Sequence, residues 1–178
     1  WAVLLTAIQR ALRKFNPDLR ISFDSSSPFQ IGGRYEDVAL SPKFTNVEKS
    51  WSIGNQSAPQ SRLHADPSKA QPFPHNQSPL GKRLLLNHLS VRGELWDNRN
   101  FDSVSNILLM NHNVWVYLDA MKRANDLVEA RDANRVPALY LECVEFIEDV
   151  FQQQTWNDSI ANYKGLLDAV VPNGYRKA

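Results

Sequence analysis

The sequence predicts an α/β protein with a mostly helical carboxyl-terminal half. An amphipathic helix over residues 1–15 leads directly into a short strand over residues 19–24. A stretch rich in Pro, Ser, Gln and Asn follows over residues 55–79, and helical periodicity dominates from residue 80 onward. A helix feeding a strand is half of an α/β unit, so we expect the neighbouring strands to come from elsewhere.

Composition limits the classes of function. Twenty Lys and Arg face nineteen Asp and Glu, and the net charge of +1 favours neither nucleic-acid nor membrane binding. The single cysteine, Cys143, excludes an internal disulfide and a cysteine-rich zinc site, which fits a reducing, cytoplasmic setting. No apolar run approaches the ~20 residues needed to cross a bilayer. There is no signal-peptide pattern, and a first residue Trp1 inside a helix leads us to expect a fragment of a longer protein.

The first half is predicted from alternation and turn residues. Apolar residues at helical spacing favour the first helix, and Asn16-Pro17-Asp18 ends it. In the strand, Leu19, Ile21 and Phe23 alternate with polar residues, and Ser25 to Pro28 begin a loop that closes on a Gly32-Gly33-Arg34 turn. Residues 35–40 and 44–53 are predicted to pair as a hairpin, and residues 55–79 to form a long loop.

Four helices are predicted in the second half, over residues 80–96, 101–130, 137–154 and 158–171. The helix over 101–130 is the strongest, with Asp102 or Ser103 as its cap. Cys143 lies in an apolar helix and is interpreted as a buried thiol. The buried stripe of the strongest helix is predicted to contain Val104, Ile107, Leu108, Val114, Trp115, Leu118 and Met121.

Asp24 is the first candidate for catalysis. It stands at the carboxyl end of the predicted strand, and α/β proteins place ligands and chemistry at that end of the sheet. The alternative is a carboxylate that caps the strand end or stabilises a turn.

Two stretches, in this order, resemble a known family. The first is Phe23-Asp24-Ser25-Ser26-Ser27-Pro28 with Gly32-Gly33-Arg34. The second is residues 109–118, LMNHNVWVYL, preceded by Leu86-Asn87-His88-Leu89 and Arg92-Gly93-Glu94-Leu95. Together they resemble the carboxyl-terminal part of the tRNA-guanine transglycosylases, whose relatives insert 7-deazaguanines into DNA. The likeness covers roughly residues 1–130.

The resemblance implies a fold and an activity. Residues 1–40 would be the last helix–strand unit of a (β/α)8 TIM barrel, 41–79 an irregular loop or hairpin insertion, and 80–178 a helical carboxyl-terminal segment. Asp24 would match the nucleophilic aspartate that displaces guanine and carries a covalent glycosyl intermediate, which a 7-deazaguanine base then resolves. Gly32, Gly33 and Arg34 would match a loop that contacts the nucleic-acid backbone.

The family's structural zinc is not expected here. Its ligands are a Cys-x-Cys-x-x-Cys motif and a histidine that His112 matches, and the cysteine positions fall near Phe73, His75 and Ser78. With no cysteine among them, a tetrahedral site lacks its donors, so we predict no zinc and no other cofactor. The missing cysteines favour the DNA-modifying branch slightly over the tRNA enzymes. The stretch between His88 and His112 is longer than is usual in the family, and residues 96–103 are interpreted as an insertion.

Two other functions stay open at this stage. The family's general acid/base and most base-reading residues would lie on earlier strands, so this chain alone is not expected to be active. A non-catalytic helical module that binds nucleic acid or another subunit is the main alternative, with a homodimer or a partner subunit both compatible. Another barrel enzyme using Asp24 for different chemistry is the third.

Overall fold

The computed structural model describes residues 2–22, 24–33, 37–48, 51–58, 70–89, 101–152 and 155–170. The described chain is mostly helical and contains a small two-stranded sheet. In chain order the elements are α1 (Ala2–Arg13), α2 (Ser27–Gly33), β1 (Asp37–Ala39), β2 (Asn55–Ser57), a 3₁₀ turn (Leu86–His88), α3 (Ser103–Glu129), α4 (Ala138–Val150), α5 (Trp156–Asn162) and α6 (Lys164–Val170).

The chain divides into two compact units. The helical unit comprises residues 1–23, 44–50 and 123–178, and the sheet unit comprises 24–43 and 51–122. Helix α3 contributes its residues up to Lys122 to the sheet unit and its last turns to the helical unit. Within the described residues, no helix combines the length and apolar character needed to cross a membrane.

The helical unit confirms two of the predicted helices and divides a third. Helix α1 buries the small residues Ala7 and Ala11 and packs against α4. The helix predicted over 158–171 is two short helices, α5 and α6, with a break at Tyr163. An apolar cleft of about 260 Å³ lies between α1, α4 and α5, and it is lined by Ile8, Phe146, Ile147, Val150, Phe151, Trp156 and Ile160.

The predicted strand over residues 19–24 is wrong for the residues described. Residues 19–22 and Asp24 have no regular secondary structure, and Phe23 lies outside the described ranges. Side chains of α1 bond this backbone instead: Arg13 Nε donates to the carbonyl of Leu19 over 2.9 Å, and Gln9 Oε1 accepts from the N–H of Ile21 over 2.6 Å. A strand requires a partner backbone, and the helix side chains have taken that role.

The predicted loop and Gly-Gly turn after Asp24 are also wrong, because residues 27–33 form α2. The carbonyl of Ser26 accepts hydrogen bonds from the N–H groups of Phe29 and Gln30. Pro28 lies in the first turn, where its missing N–H has no helical partner to lose. The serines and the proline thus begin a helix here instead of ending a strand.

The predicted hairpin is right in its first strand and wrong in its second. Strand β1 falls within residues 35–40 but pairs antiparallel with β2, in the register Asp37↔Ser57, Val38↔Gln56 and Ala39↔Asn55. Residues 44–48, which were expected to supply the partner strand, belong to the helical unit.

The part of residues 80–96 that the structure describes does not form the predicted helix. Residues 79–83 form turns, Pro72 and Leu85 form an isolated antiparallel bridge, and only the short 3₁₀ turn is helical. Residues 90–100 are not among the residues that the structure describes. They include most of the apparent insertion at 96–103 and the whole Arg92-Gly93-Glu94-Leu95 motif. The apolar residues of this stretch enter the core of the sheet unit, which contains Val38, Ala58, Phe73, Leu86, Leu89, Phe101 and Leu109.

Helix α3 confirms the strongest helix prediction but not its buried face. Asp102 caps it, with Oδ1 accepting from the N–H of Ser105 over 2.7 Å. Three residues of the predicted stripe, Val104, Ile107 and Leu118, are exposed, at 67%, 52% and 62%. The buried face is formed by Ser105, Leu109, His112, Asn113, Val116, Ala120, Ala124 and Val128. His112 and Asn113 take buried positions on this face because partners distant in sequence, Ser78 and the backbone of β1, satisfy their polar groups.

Candidate functional site

Asp24 is an exposed carboxylate immediately before α2. Among the described residues its side chain makes no hydrogen bond or ion pair. Two residues later, Ser26 Oγ accepts from Gln30 Nε2 over 2.8 Å, which anchors the start of the helix. The exposed carboxylate of Asp24 is therefore accessible to a large substrate.

Gly32 and Gly33 lie at the carboxyl end of α2 against Met110 of α3. A Cβ on Gly32 would stand 3.0 Å from the backbone nitrogen of Met110 and 3.1 Å from its Cα, closer than most Cβ contacts, so a side chain here would require the backbone of α3 to shift. A Cβ on Gly33 would stand 3.0 Å from Met110 Sδ. Gly32 is buried, whereas Gly33 is exposed and Arg34 lies outside the described residues. The contact with Met110 gives this glycine pair a packing role that its sequence does not reveal.

Three side chains named by the family resemblance pack against α3, where Phe73 and Ser78 meet His112 and His75 meets Trp115. Phe73, His75 and Ser78 are 1%, 4% and 0% exposed, and His112 is fully buried. The rings of Phe73 and His112 lie 4.5 Å apart, and Ser78 Oγ lies 2.8 Å from His112 Nδ1. We call Phe73, His75, Ser78 and His112 the buried cluster.

A tight turn fixes the position of Ser78. Its Oγ accepts from the N–H of Gly81 over 2.8 Å. A Cβ on Gly81 would stand 2.8 Å from the carbonyl oxygen of His75, so the turn requires glycine. With that N–H donating to Ser78, the hydroxyl can donate its own proton to His112 Nδ1, which leaves the neutral imidazole protonated on Nε2.

Burial keeps His112 neutral. Its pKa is lowered from 6.5 to about 4, chiefly by desolvation; the backbone of Ala39 opposes the decrease, and nearby His75 adds to it. No described residue is within hydrogen-bonding geometry of His112 Nε2. His112 is therefore a buried neutral base whose second nitrogen is enclosed.

His75 has a different environment, at the rim of the cluster. Its Nδ1 lies 2.9 Å from Ser41 Oγ, and its ring packs on Trp115 with centroids 5.3 Å apart. Its Nε2 lies 3.7 Å from Asp119 Oδ2. Ser41 also donates to the carbonyl of Pro74 over 3.0 Å, so this hydroxyl joins two parts of the sheet unit.

Asn113, next to His112, bonds the backbone of β1 at two points. Its Oδ1 accepts from the N–H of Ala39 over 2.8 Å, and its Nδ2 donates to the carbonyl of Asp37 over 3.0 Å. Asn113 is fully buried, and its bond to Ala39 is buried while its bond to Asp37 is partly buried. The sequence interpretation gave Asn113 a structural role without identifying these partners.

The buried cluster does not fit a structural zinc ion. Phe73 has no donor atom, and the Ser78 oxygen is already bonded to Gly81 and His112. Only the two imidazoles resemble zinc ligands, whereas a structural site needs four donors. Within the described ranges, no group of three or more His, Cys, Asp or Glu side chains could hold a metal.

Cys143 does not have the surroundings of an activated nucleophile. It is half-buried in α4, and burial raises the pKa of its thiol, with Glu142 and Glu48 adding to the increase. A thiol with a raised pKa carries little thiolate at neutral pH.

No family model, curated protein or solved structure matches this chain. The observations on function are therefore the exposed Asp24, the glycine contact with Met110 and the buried cluster. Asp24 was a candidate from its motif, whereas positions 73, 75 and 78 were named by the family resemblance only as places where zinc-binding cysteines are missing. The sequence interpretation missed the roles of Ser41, Met110 and Asn113, whose partners are distant in sequence.

Proposed function

We propose that this chain is the carboxyl-terminal segment of a nucleic-acid guanine transglycosylase. The enzyme would exchange guanine for a 7-deazaguanine in tRNA or DNA, with DNA slightly favoured, and the segment would belong to a (β/α)8 barrel. The observation that carries the proposal is the packing of Phe73, His75 and Ser78 against α3, where Phe73 and Ser78 contact His112 and His75 packs on Trp115. The residues of the buried cluster are the positions that the family resemblance groups around one site, although at least 34 residues of sequence separate the first three from His112.

The chemistry proposed for Asp24 is covalent catalysis. A carboxylate oxygen of Asp24 attacks the anomeric carbon of the target nucleoside, and the bond to guanine breaks with its electron pair moving to the base. The leaving base takes a proton from an acid elsewhere in the enzyme. The incoming 7-deazaguanine then loses a proton and attacks the same carbon, which releases the carboxylate. The exposure of Asp24 suits a substrate as large as a nucleic acid.

Substitution of Asp24 by Asn tests the nucleophile directly. In the longest natural form of the protein, Asp24→Asn should lower labelled-guanine exchange by on the order of 10³-fold or more, because the amide cannot form the glycosyl ester. The assay is run on tRNA and on duplex DNA, with trapping of the covalent adduct on a denaturing gel. Asp18→Asn is the matched control, because Asp18 is another exposed carboxylate close by in sequence. Unchanged exchange by Asp24→Asn would reject the nucleophile.

A subunit-interaction module is the second candidate, supported by the outer face of α3. Val104, Ile107 and Leu118 expose large apolar side chains along this helix. Exposed apolar surface of this kind is typical of contact with another protein. Sedimentation of the purified chain over a range of concentrations, together with the exchange assay, would separate the two functions: self-association without exchange activity favours the interaction module.

A further inference from the structure

The turn that contains Phe73, His75 and Ser78 buries three side chains against α3, with Phe73 and Ser78 on His112 and His75 on Trp115. Positions 73, 75 and 78 are buried, whereas the intervening Asn76 and Gln77 are exposed. The buried positions thus follow a spacing of i, i+2 and i+5, and His112 of α3 contacts the first and the last of them. This arrangement has the form of a metal-binding knuckle, in which three ligands on one turn face a fourth ligand on a helix.

Each contact that a metal would make in such a knuckle is replaced here by another interaction. Phe73 fills volume and packs its ring on His112. Ser78 bonds the His112 nitrogen and the turn's own N–H at Gly81. His75 extends the network to Ser41. These interactions hold the turn on α3 with aromatic packing and neutral hydrogen bonds.

We propose that the buried cluster is a metal-free replacement for a zinc knuckle, and that thiolates at positions 73, 75 and 78 would give it zinc binding. The inference goes beyond the proposed function and rests on the contacts of the sheet unit. Its tests measure metal content and stability, so they can fail while the Asp24 exchange assay succeeds, and the reverse.

The first test uses the unmodified chain. After incubation with zinc chloride and desalting, we expect well under one zinc per chain by elemental analysis, and the same melting temperature with and without a chelator. Zinc at about one per chain, together with a lower melting temperature in the chelator, would overturn the proposal.

The second test builds the missing ligands. In a Cys143→Ser background, the triple variant F73C/H75C/S78C should bind about one zinc per chain, and cobalt should give the absorption of a tetrahedral thiolate site. Adding His112→Gln removes the fourth ligand and should weaken metal binding by about tenfold or more. A folded triple variant that binds no zinc would contradict the proposal, as would metal binding that is unaffected by His112→Gln.

A third measurement decides the matter if the triple variant does not fold. In the natural sequence, Ser78→Ala and His112→Phe are made singly and together. If the two side chains belong to one unit, the loss of melting temperature in the double variant is smaller than the sum of the two single losses. Additive losses would show that the cluster is not a unit and would overturn the inference.

Discussion

Burial of the His112 side chain makes the stability of the fold depend on pH. The imidazole is held neutral in the fold, with a pKa of about 4 against 6.5 for an exposed histidine. Between these values the unfolded chain binds a proton that the folded chain does not. The stabilisation is therefore fully present above about pH 6.5 and is lost as the pH falls toward 4.

We expect the His112 contribution to the free energy of unfolding to fall by about 3 kcal/mol over that range. Urea denaturation between pH 7.5 and pH 4 would measure it. His112→Gln should flatten the dependence, whereas His88→Gln, at an exposed histidine, should leave it unchanged. Equal slopes in the natural chain and His112→Gln would contradict the prediction.

Asn113 is expected to be among the most sensitive polar positions. Asn113→Ala would leave the N–H of Ala39 and the carbonyl of Asp37 without their side-chain partner. We expect a loss of about 2–4 kcal/mol in the free energy of unfolding. Asn111→Ala on the same helix is the control, because Asn111 is exposed and bonds only the carbonyl of Ile107. Its effect should stay within about 0.5 kcal/mol, and a similar loss in both variants would exclude a special role for Asn113.

The contact between α2 and α3 depends on a missing side chain. Gly32→Ala would force its Cβ against backbone atoms of Met110, and a helix backbone cannot move aside as a flexible side chain can. We expect a loss of about 1–3 kcal/mol in the free energy of unfolding. Gly165 in α6 offers a matched comparison, because a Cβ there meets nothing within 4 Å.

Gly165→Ala is expected to be neutral or to stabilise by about 0.5 kcal/mol, since alanine is the better helix former. Thermal and urea denaturation of the two variants would measure the difference. If Gly32→Ala were as well tolerated as Gly165→Ala, the close approach of α2 to α3 would be refuted.

For the molecule as a whole, the near balance of charge predicts weak binding to a polyanion. With a net charge of +1, we expect the chain to bind tRNA or a short DNA duplex with a Kd of about 10⁻⁶ M or weaker at physiological salt. Fluorescence anisotropy across a salt series would measure the affinity and its slope. Arg34→Ala should reduce the magnitude of that slope by about one if Arg34 contacts a phosphate. Nanomolar binding with a steep salt dependence would contradict the expectation.

Long amphipathic helices were the part of the fold that the sequence predicted well. Helices α1, α3 and α4 arise from apolar periodicity sustained over three turns or more, and local pattern is sufficient for them. The errors fall on short segments. Residues 19–22 have the alternation of a strand but no partner strand among the described residues, and Ser27 to Gly33 are short enough to be interpreted as a loop.

The candidate site was predictable only where a motif supplied its spacing. A motif supplied Asp24 as a candidate, but the packing of Phe73, His75 and Ser78 against α3 was not predicted from the sequence. The bond from Asn113 to Ala39 spans 74 residues, and no local pattern could have indicated it. The buried face of α3 was misjudged for the same reason, because His112 and Asn113 are buried by virtue of distant partners.

The two bonds from Asn113 have a consequence for how this protein behaves toward other chains. Strand β1 has one side paired with β2, while the carbonyl of Asp37 and the N–H of Ala39 are bonded to Asn113. Unpaired groups on a strand edge invite strands from other molecules, which leads to aggregation or domain swapping. One amide from a helix thus closes the edge of the sheet and protects β1 against intermolecular strand addition.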